Sequence, residues 1–245
     1  MSGPEATVHA RKAEYARKSA RIAGIAGLAF VALFVAGFAL VAIAPDPSES
    51  DERLLSFYTN EGKRIVTILG AYIIPFAGIA FMWFMASIRN LLSEYQHGRN
   101  PIFLSMQLVS GTLFIAATFV AAAASVTQAT SIAFFDQADI SAADLRQIPA
   151  LGYALFFVFG IKMAGVFMFA TSRLGRGLLP GWITVAGIVF AVVLLLSAAI
   201  IQPLALLLPA WVVTLSVWLL LGPAREAVEP PREGATTAGP GSQSA

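Results

Sequence analysis

Phe190-Ala191-Val192-Val193-Leu194-Leu195-Leu196 is apolar at every position. A membrane strand with one face in lipid and the other toward a lumen would alternate apolar and polar residues with a period of two. This run does not, which argues against a transmembrane barrel. A helix, which satisfies its own backbone hydrogen bonds inside hydrocarbon, remains. The run sits in a chain of 245 residues that is 58% hydrophobic and only 12% charged, with a mean hydropathy of +0.76. A water-soluble domain of that size cannot hide so much apolar surface, so lipid is the expected solvent.

About 20 apolar residues, rising about 1.5 Å each, carry a helix across the hydrocarbon layer. Working outward from 190–196 with that ruler predicts an all-α, polytopic transmembrane helix bundle of six spans, at 21–44, 64–87, 104–129, 150–171, 181–201 and 204–222. The membrane domain is then 21–222, between a basic segment 1–20 and a tail 223–245 rich in Pro, Gly, Ser and Thr, which has too little apolar surface to order itself. Only Gln202-Pro203 separates the last two spans. A continuous helix there would be about 60 Å long, twice the hydrocarbon thickness, so a tight hairpin is expected, with Pro209 and Pro75 kinking the helices that contain them.

The charges give the direction. With the N-terminus in the cytoplasm, the inner segments hold Arg11, Lys12, Arg17, Lys18, Arg21, Arg89, Arg99, Arg173, Arg176, Arg225 and Arg232. The outer segments hold only Arg53, Lys63, Arg64 and Arg146. Asp46, Glu49, Asp51, Glu52, Glu61, Asp136, Asp139 and Asp144 fall outside. The positive-inside bias thus puts both termini in the cytoplasm and the protein in a cell membrane. The first apolar run ends in Ala42-Ile43-Ala44 but is too long for the core of a signal peptide, and Pro45 would obstruct cleavage, so a retained first helix is expected.

Ser48 and Asp51, and again Ser141 and Asp144, have the spacing of helix N-caps, and the apolar residues after them predict short amphipathic helices on the outer surface. Trp83, Trp182 and Trp218 fit the inner interface, Tyr58 and Tyr153 the outer one. Small residues at four-residue spacing (Ala117, Ala121, Ser125 and Ala129; Ala20 and Gly24; Ala32 and Ala36) suit close helix approach, either within the bundle or in a homo-oligomer.

The inventory of reactive groups is thin. The chain has no cysteine and two histidines, His9 and His97, both outside the spans. Disulfides, thiolate chemistry, iron–sulfur clusters and bis-histidine haem within the bundle are therefore excluded. The spans carry no Asp or Glu, which speaks against a carboxylate proton relay or an intramembrane aspartyl protease. No phosphate-cradling loop, zinc motif or serine elbow occurs, and no cofactor, metal or nucleic-acid partner is expected. Thr127, Gln128, Thr130 and Ser131, with Asp136 and Asp139, could form a small polar site at the outer end of the third helix, with oxygen ligands of the kind calcium or magnesium takes, but acids there already follow from the charge bias. His97-Gly98 reads as a helix stop, with Gly98 past the C-cap.

One ionisable residue falls inside a span: Lys162, flanked by Gly160 and Gly165. A lysine at mid-bilayer costs about 2.5–3.5 kcal/mol. Either it faces the interior and binds an anionic ligand in space left by the two glycines, or it bonds freed carbonyls or hydroxyls, or it snorkels toward the inner surface about 16 Å away. At that surface, Arg173 and Arg176 in a short basic turn suit lipid phosphates.

Lys162-Met163-Ala164-Gly165-Val166-Phe167, then Thr171-Ser172, then Leu179-Pro180-Gly181-Trp182, with Ala20-Arg21-Ile22-Ala23-Gly24, resembles uncharacterised six-helix integral membrane proteins of high-GC bacteria. That family would place arginine at position 162, so a basic residue is common to both. The resemblance implies a bacterial inner-membrane location but no activity. Sparse polar groups in the spans point to a non-enzymatic membrane protein that binds lipid or a protein partner. The alternative is a small permease or exporter for an apolar or anionic solute with Lys162 at its site.

Overall fold

The computed structural model describes residues 4–96, 101–135, 141–197 and 201–221. Those residues are helical throughout apart from their connecting turns. The elements are α1 (Pro4–Val41), α2 (Asp51–Thr59), α3 (Glu61–Gln96), α4 (Pro101–Phe135), α5 (Ala142–Ala154), a π-helical turn (Leu155–Gly160), α6 (Ile161–Leu174), α7 (Gly181–Leu196), a 3-10 turn (Gln202–Leu206) and α8 (Leu207–Leu221). Five helical stretches are long and apolar enough to cross a membrane: Glu14–Val41, Glu61–Ser93, Pro101–Phe135, Ala143–Leu174 and Gln202–Leu221; Gly181–Leu196 is a shorter apolar helix. The architecture is that of a transmembrane helix bundle.

The long helices form a ring in the order α1, α3, α4, α6, α7, α8, with the seam between α7 and α8 the thinnest. The tightest pairing is α1 against α3. It depends on Gly37 and Gly70, whose backbones meet so closely that a Cβ on Gly70 would stand 2.9 Å from the Gly37 carbonyl oxygen. Gly24 does the same for α1 against α8, where Leu220 and the Ser216 carbonyl fill the space a side chain would need. The Ala121/Ser125 stripe receives Gly152 of α5, so these small residues serve internal packing, whereas Ala32 and Ala36 face outward. Phenylalanines fill the centre of the ring: Phe81 packs on Phe30, Phe114 and Phe167 at ring-centroid distances of 4.8, 5.4 and 5.0 Å.

Several local expectations are corrected. The N-cap of α2 is Ser50, which accepts from the Arg53 N–H. Ser48 instead donates through its N–H and hydroxyl to Asp46. Ser141 and Asp144 do form a reciprocal capping box, but the helix they start is no separate surface helix. It runs through the π turn into α6 as part of one long apolar stretch, Ala143–Leu174. The helix expected over 181–201 stops at Leu196, because Ser197 turns extended. α7 packs chiefly on α6 and α8 chiefly on α1, with little contact between α7 and α8. Pro209 lies buried in the first turn of α8 rather than mid-helix, where a missing N–H costs least. Pro75 leaves α3 continuous. The expectations for Gly98, His97, Arg99, Asp136, Asp139 and the 223–245 tail lie outside the described residues.

Candidate functional site

Lys162 is the second residue of α6 and half-buried. Its ammonium donates to the Leu194 carbonyl at 2.9 Å and to the Ser197 carbonyl. Both belong to the last turn and C-cap of α7, whose four terminal carbonyls lack intrahelical partners. The reach is therefore across to the neighbouring helix end, not inward toward Arg173. A cation at a helix C-terminus is also favoured by the helix dipole. Gly165 leaves no room for a ligand beside the lysine. It lets α7 approach, and a Cβ there would meet the Ala191 carbonyl oxygen at 3.1 Å and Leu194 Cβ at 3.3 Å. Gly160 is looser, its nearest neighbours 3.6 Å from a built Cβ. The three residues grouped by sequence are thus adjacent along one span but make no enclosed site together.

Arg173 and Arg176 lie at the other end of that span, in and after the last turn of α6. The Arg173 guanidinium stands 5.8 Å from the Phe103 ring centroid, and Arg176 is exposed. The turn behind them bends at Gly177, whose φ of 90° suits glycine. Thr127 and Gln128 are occupied at the opposite end, the first donating to the Ala123 carbonyl and the second, buried, to the Asp144 carbonyl at 3.1 Å. Among the described residues, no group of three or more His, Asp or Glu side chains could hold a metal ion.

A pocket of about 80 Å³ opens at the acidic end of the bundle, walled by the end of α1, α4, α5 and the π turn. Sequence reasoning did not find it. Its apolar walls are Phe34, Phe38, Val41, Ile74, Ala121, Ala122, Phe156 and Phe157. Its polar residues are Thr118, Ser125, Tyr58, Tyr153 and Gln202. The π turn builds one wall. Closing a wider ring, with the Ile161 N–H donating to the Phe156 carbonyl, lets the successive residues Phe156 and Phe157 both be buried. Wide turns of this kind concentrate at functional sites. Thr118 and Ser125 donate to the carbonyls of Phe114 and Ala121 on their own helix, at 2.7 and 2.8 Å, so neither hydroxyl proton points at the pocket's contents.

The roof is the segment after α1. Ala42, Ala44 and Pro45 line the pocket, and the next turn is tied to α5 by Arg146, which donates to the Pro47 carbonyl at 2.8 Å and pairs with Asp51. α2 closes the side: Leu54, Phe57 and Tyr58 are buried with Ala129 and Leu145. Burial pushes the Tyr58 phenol above its ordinary pKa, with nearby Tyr153 adding to the shift. A narrower void beneath the pocket, about 10 Å³, continues between Phe30, Phe81 and Phe114. No protein-family model, curated protein or solved structure matches this chain.

Proposed function

We propose that this chain is a multi-pass protein of a bacterial cytoplasmic membrane, with six spans and both ends in the cytoplasm, that holds an apolar, lipid-derived ligand without transforming it. The observation that carries the reading is the pocket at the acidic end: a concave, aromatic-walled space with a few polar groups, which is the usual make-up of a small-molecule site. The charge asymmetry supports the orientation, placing this pocket on the outer side. The bacterial setting is proposed only from the resemblance of the short motifs at 162–167, 171–172 and 179–182. α7, about 24 Å long against about 30 Å of hydrocarbon, is counted as the sixth span because it is apolar throughout and packs along α6. The Lys162 ammonium, engaged by the end of α7, supports a packing role for that residue over an anionic permease site. Export of an apolar solute keeps the small void under the pocket as support.

The absence of cysteine makes the orientation easy to test. Asn60→Cys and Arg176→Cys place single thiols at opposite ends. An impermeant maleimide should label the first in whole cells and the second only after lysis; the reverse pattern overturns the topology. For the ligand, Ala122→Phe fills the pocket. Solvent extraction of protein purified in mild detergent should recover an apolar species from the parent chain and less from the variant. Equal recovery from both overturns the reading.

A further inference from the structure

We propose that the pocket takes a single-chain amphiphile with an uncharged, oxygen-bearing head, such as a monoacylglycerol or a long-chain alcohol, and discriminates against the anionic lipid of the same chain. This rests on the pocket being the ligand site and adds the class of ligand. The volume comes first. About 80 Å³ is roughly half the 150 Å³ that admits a benzene-sized guest, so the enclosed space takes only a short stretch of one chain, the rest lying outside it.

The charges come second. Not one residue lining the pocket is ionisable as an acid or base near neutral pH. Two arginines of the neighbouring elements already have protein partners, Arg146 in Asp51 and the Pro47 carbonyl, Arg64 in the Tyr58 carbonyl. The charge beside the mouth is the Asp46 carboxylate, which follows the roof residue Pro45 in the chain. An anionic head would lose hydration, have to compete for cations already engaged by the protein, and approach that carboxylate. The fringe of Tyr58, Tyr153 and Gln202 offers neutral groups that suit a hydroxyl or ester.

The test is native mass spectrometry of the full chain in mild detergent, with 1-monooleoylglycerol and 1-oleoyl lysophosphatidic acid as competing probes of equal chain length. The expected result is a monooleoylglycerol adduct at least about tenfold tighter than the anionic one, lost in Ala122→Phe and weakened about tenfold by a Tyr58→Phe/Tyr153→Phe pair that keeps both rings. Anionic adducts as tight as the neutral ones, still displaced by Ala122→Phe, overturn the head-group assignment and leave the pocket reading intact. Adducts of both probes indifferent to Ala122→Phe overturn the pocket reading itself. The tyrosine pair adds no bulk, so it decides the matter even where Ala122→Phe does not fold: an unchanged preference for the neutral probe overturns the assignment.

Discussion

The Lys162 ammonium sits 2.9 Å from the Leu194 carbonyl oxygen and ties the start of α6 to the end of α7. α7 is only 16 residues long, and as the proposed sixth span it would end where lipid offers its terminal carbonyls no donor. The lysine supplies one, and the cost of burying its charge is offset by the partial negative charge of the helix end. This joins two features that look unrelated along the chain, a charged residue in one span and an early stop in another.

Lys162→Met should therefore lower stability and not merely remove a ligand. It leaves two carbonyls without their donor, a loss of about 2–3 kcal/mol by the usual cost of an unmade bond to a charged group. Lys162→Arg should retain most of it, since a guanidinium can reach the same oxygens. Unfolding in graded sodium dodecyl sulfate, followed by helicity, reads the difference. Equal midpoints for Met and the parent chain would show that the cap contributes nothing.

The two glycines flanking that lysine should respond oppositely to alanine. Gly165→Ala presses a methyl against the Ala191 carbonyl, a backbone atom that cannot swing away, and should cost about 1–3 kcal/mol through forced separation of α6 from α7. Gly160→Ala meets only ordinary contacts at 3.6 Å. It should be neutral or slightly stabilising, because alanine loses less freedom in a helix. The same unfolding assay checks both. A ligand cavity between the glycines would make both variants alter binding and leave stability alone.

Apolar periodicity made the helices legible, because a run such as 190–196 has one solution in lipid. The Ser141–Asp144 cap was legible because its two bonds are local. Ser50 was missed because Ser48 lies at an equally plausible distance from the helix, and only the Asp46 turn removes it from contention. The continuity of α5 and α6 was hidden by Pro149 and by charged residues near the helix start, which resemble a surface helix. The pocket had no sequence signal. Phe38, Ser125, Tyr153 and Gln202 come from four separated segments, and each alone reads as core, packing or interface. Lys162 was visible as an anomaly, but its partner 32 residues away was not.

Arg146 should act as the latch of the pocket's roof. Removing it with Arg146→Ala breaks a bond to the Pro47 carbonyl and an exposed pair with Asp51. Exposed pairs contribute little, about 0–1 kcal/mol, so the global midpoint should hardly move. Residues 42–50 should instead exchange their amide protons faster, since local opening depends on the few bonds that pin a segment. Hydrogen exchange with mass analysis of peptides covering 42–60 checks this. Unchanged protection of that segment would remove the latch.

Acid should loosen the same segment from its other side. The Asp46 carboxylate accepts from both the hydroxyl and the N–H of Ser48, and these bonds hold its pKa below the ordinary 3.8. A group whose folded pKa is depressed stabilises the fold fully above its unfolded value and loses that contribution as pH falls through the folded one. The turn at Asp46–Ser48 should therefore hold at neutral pH and open progressively below the usual carboxylate range. Ser48→Ala removes the hydroxyl bond, the larger cause of the shift, and should move the opening to higher pH. Amide exchange of Ser48 and Glu49 between pH 5 and pH 3, corrected for intrinsic rates, gives the profile; parallel curves for Ser48→Ala and the parent chain would rule out the Asp46 turn as the acid-sensitive element of the roof.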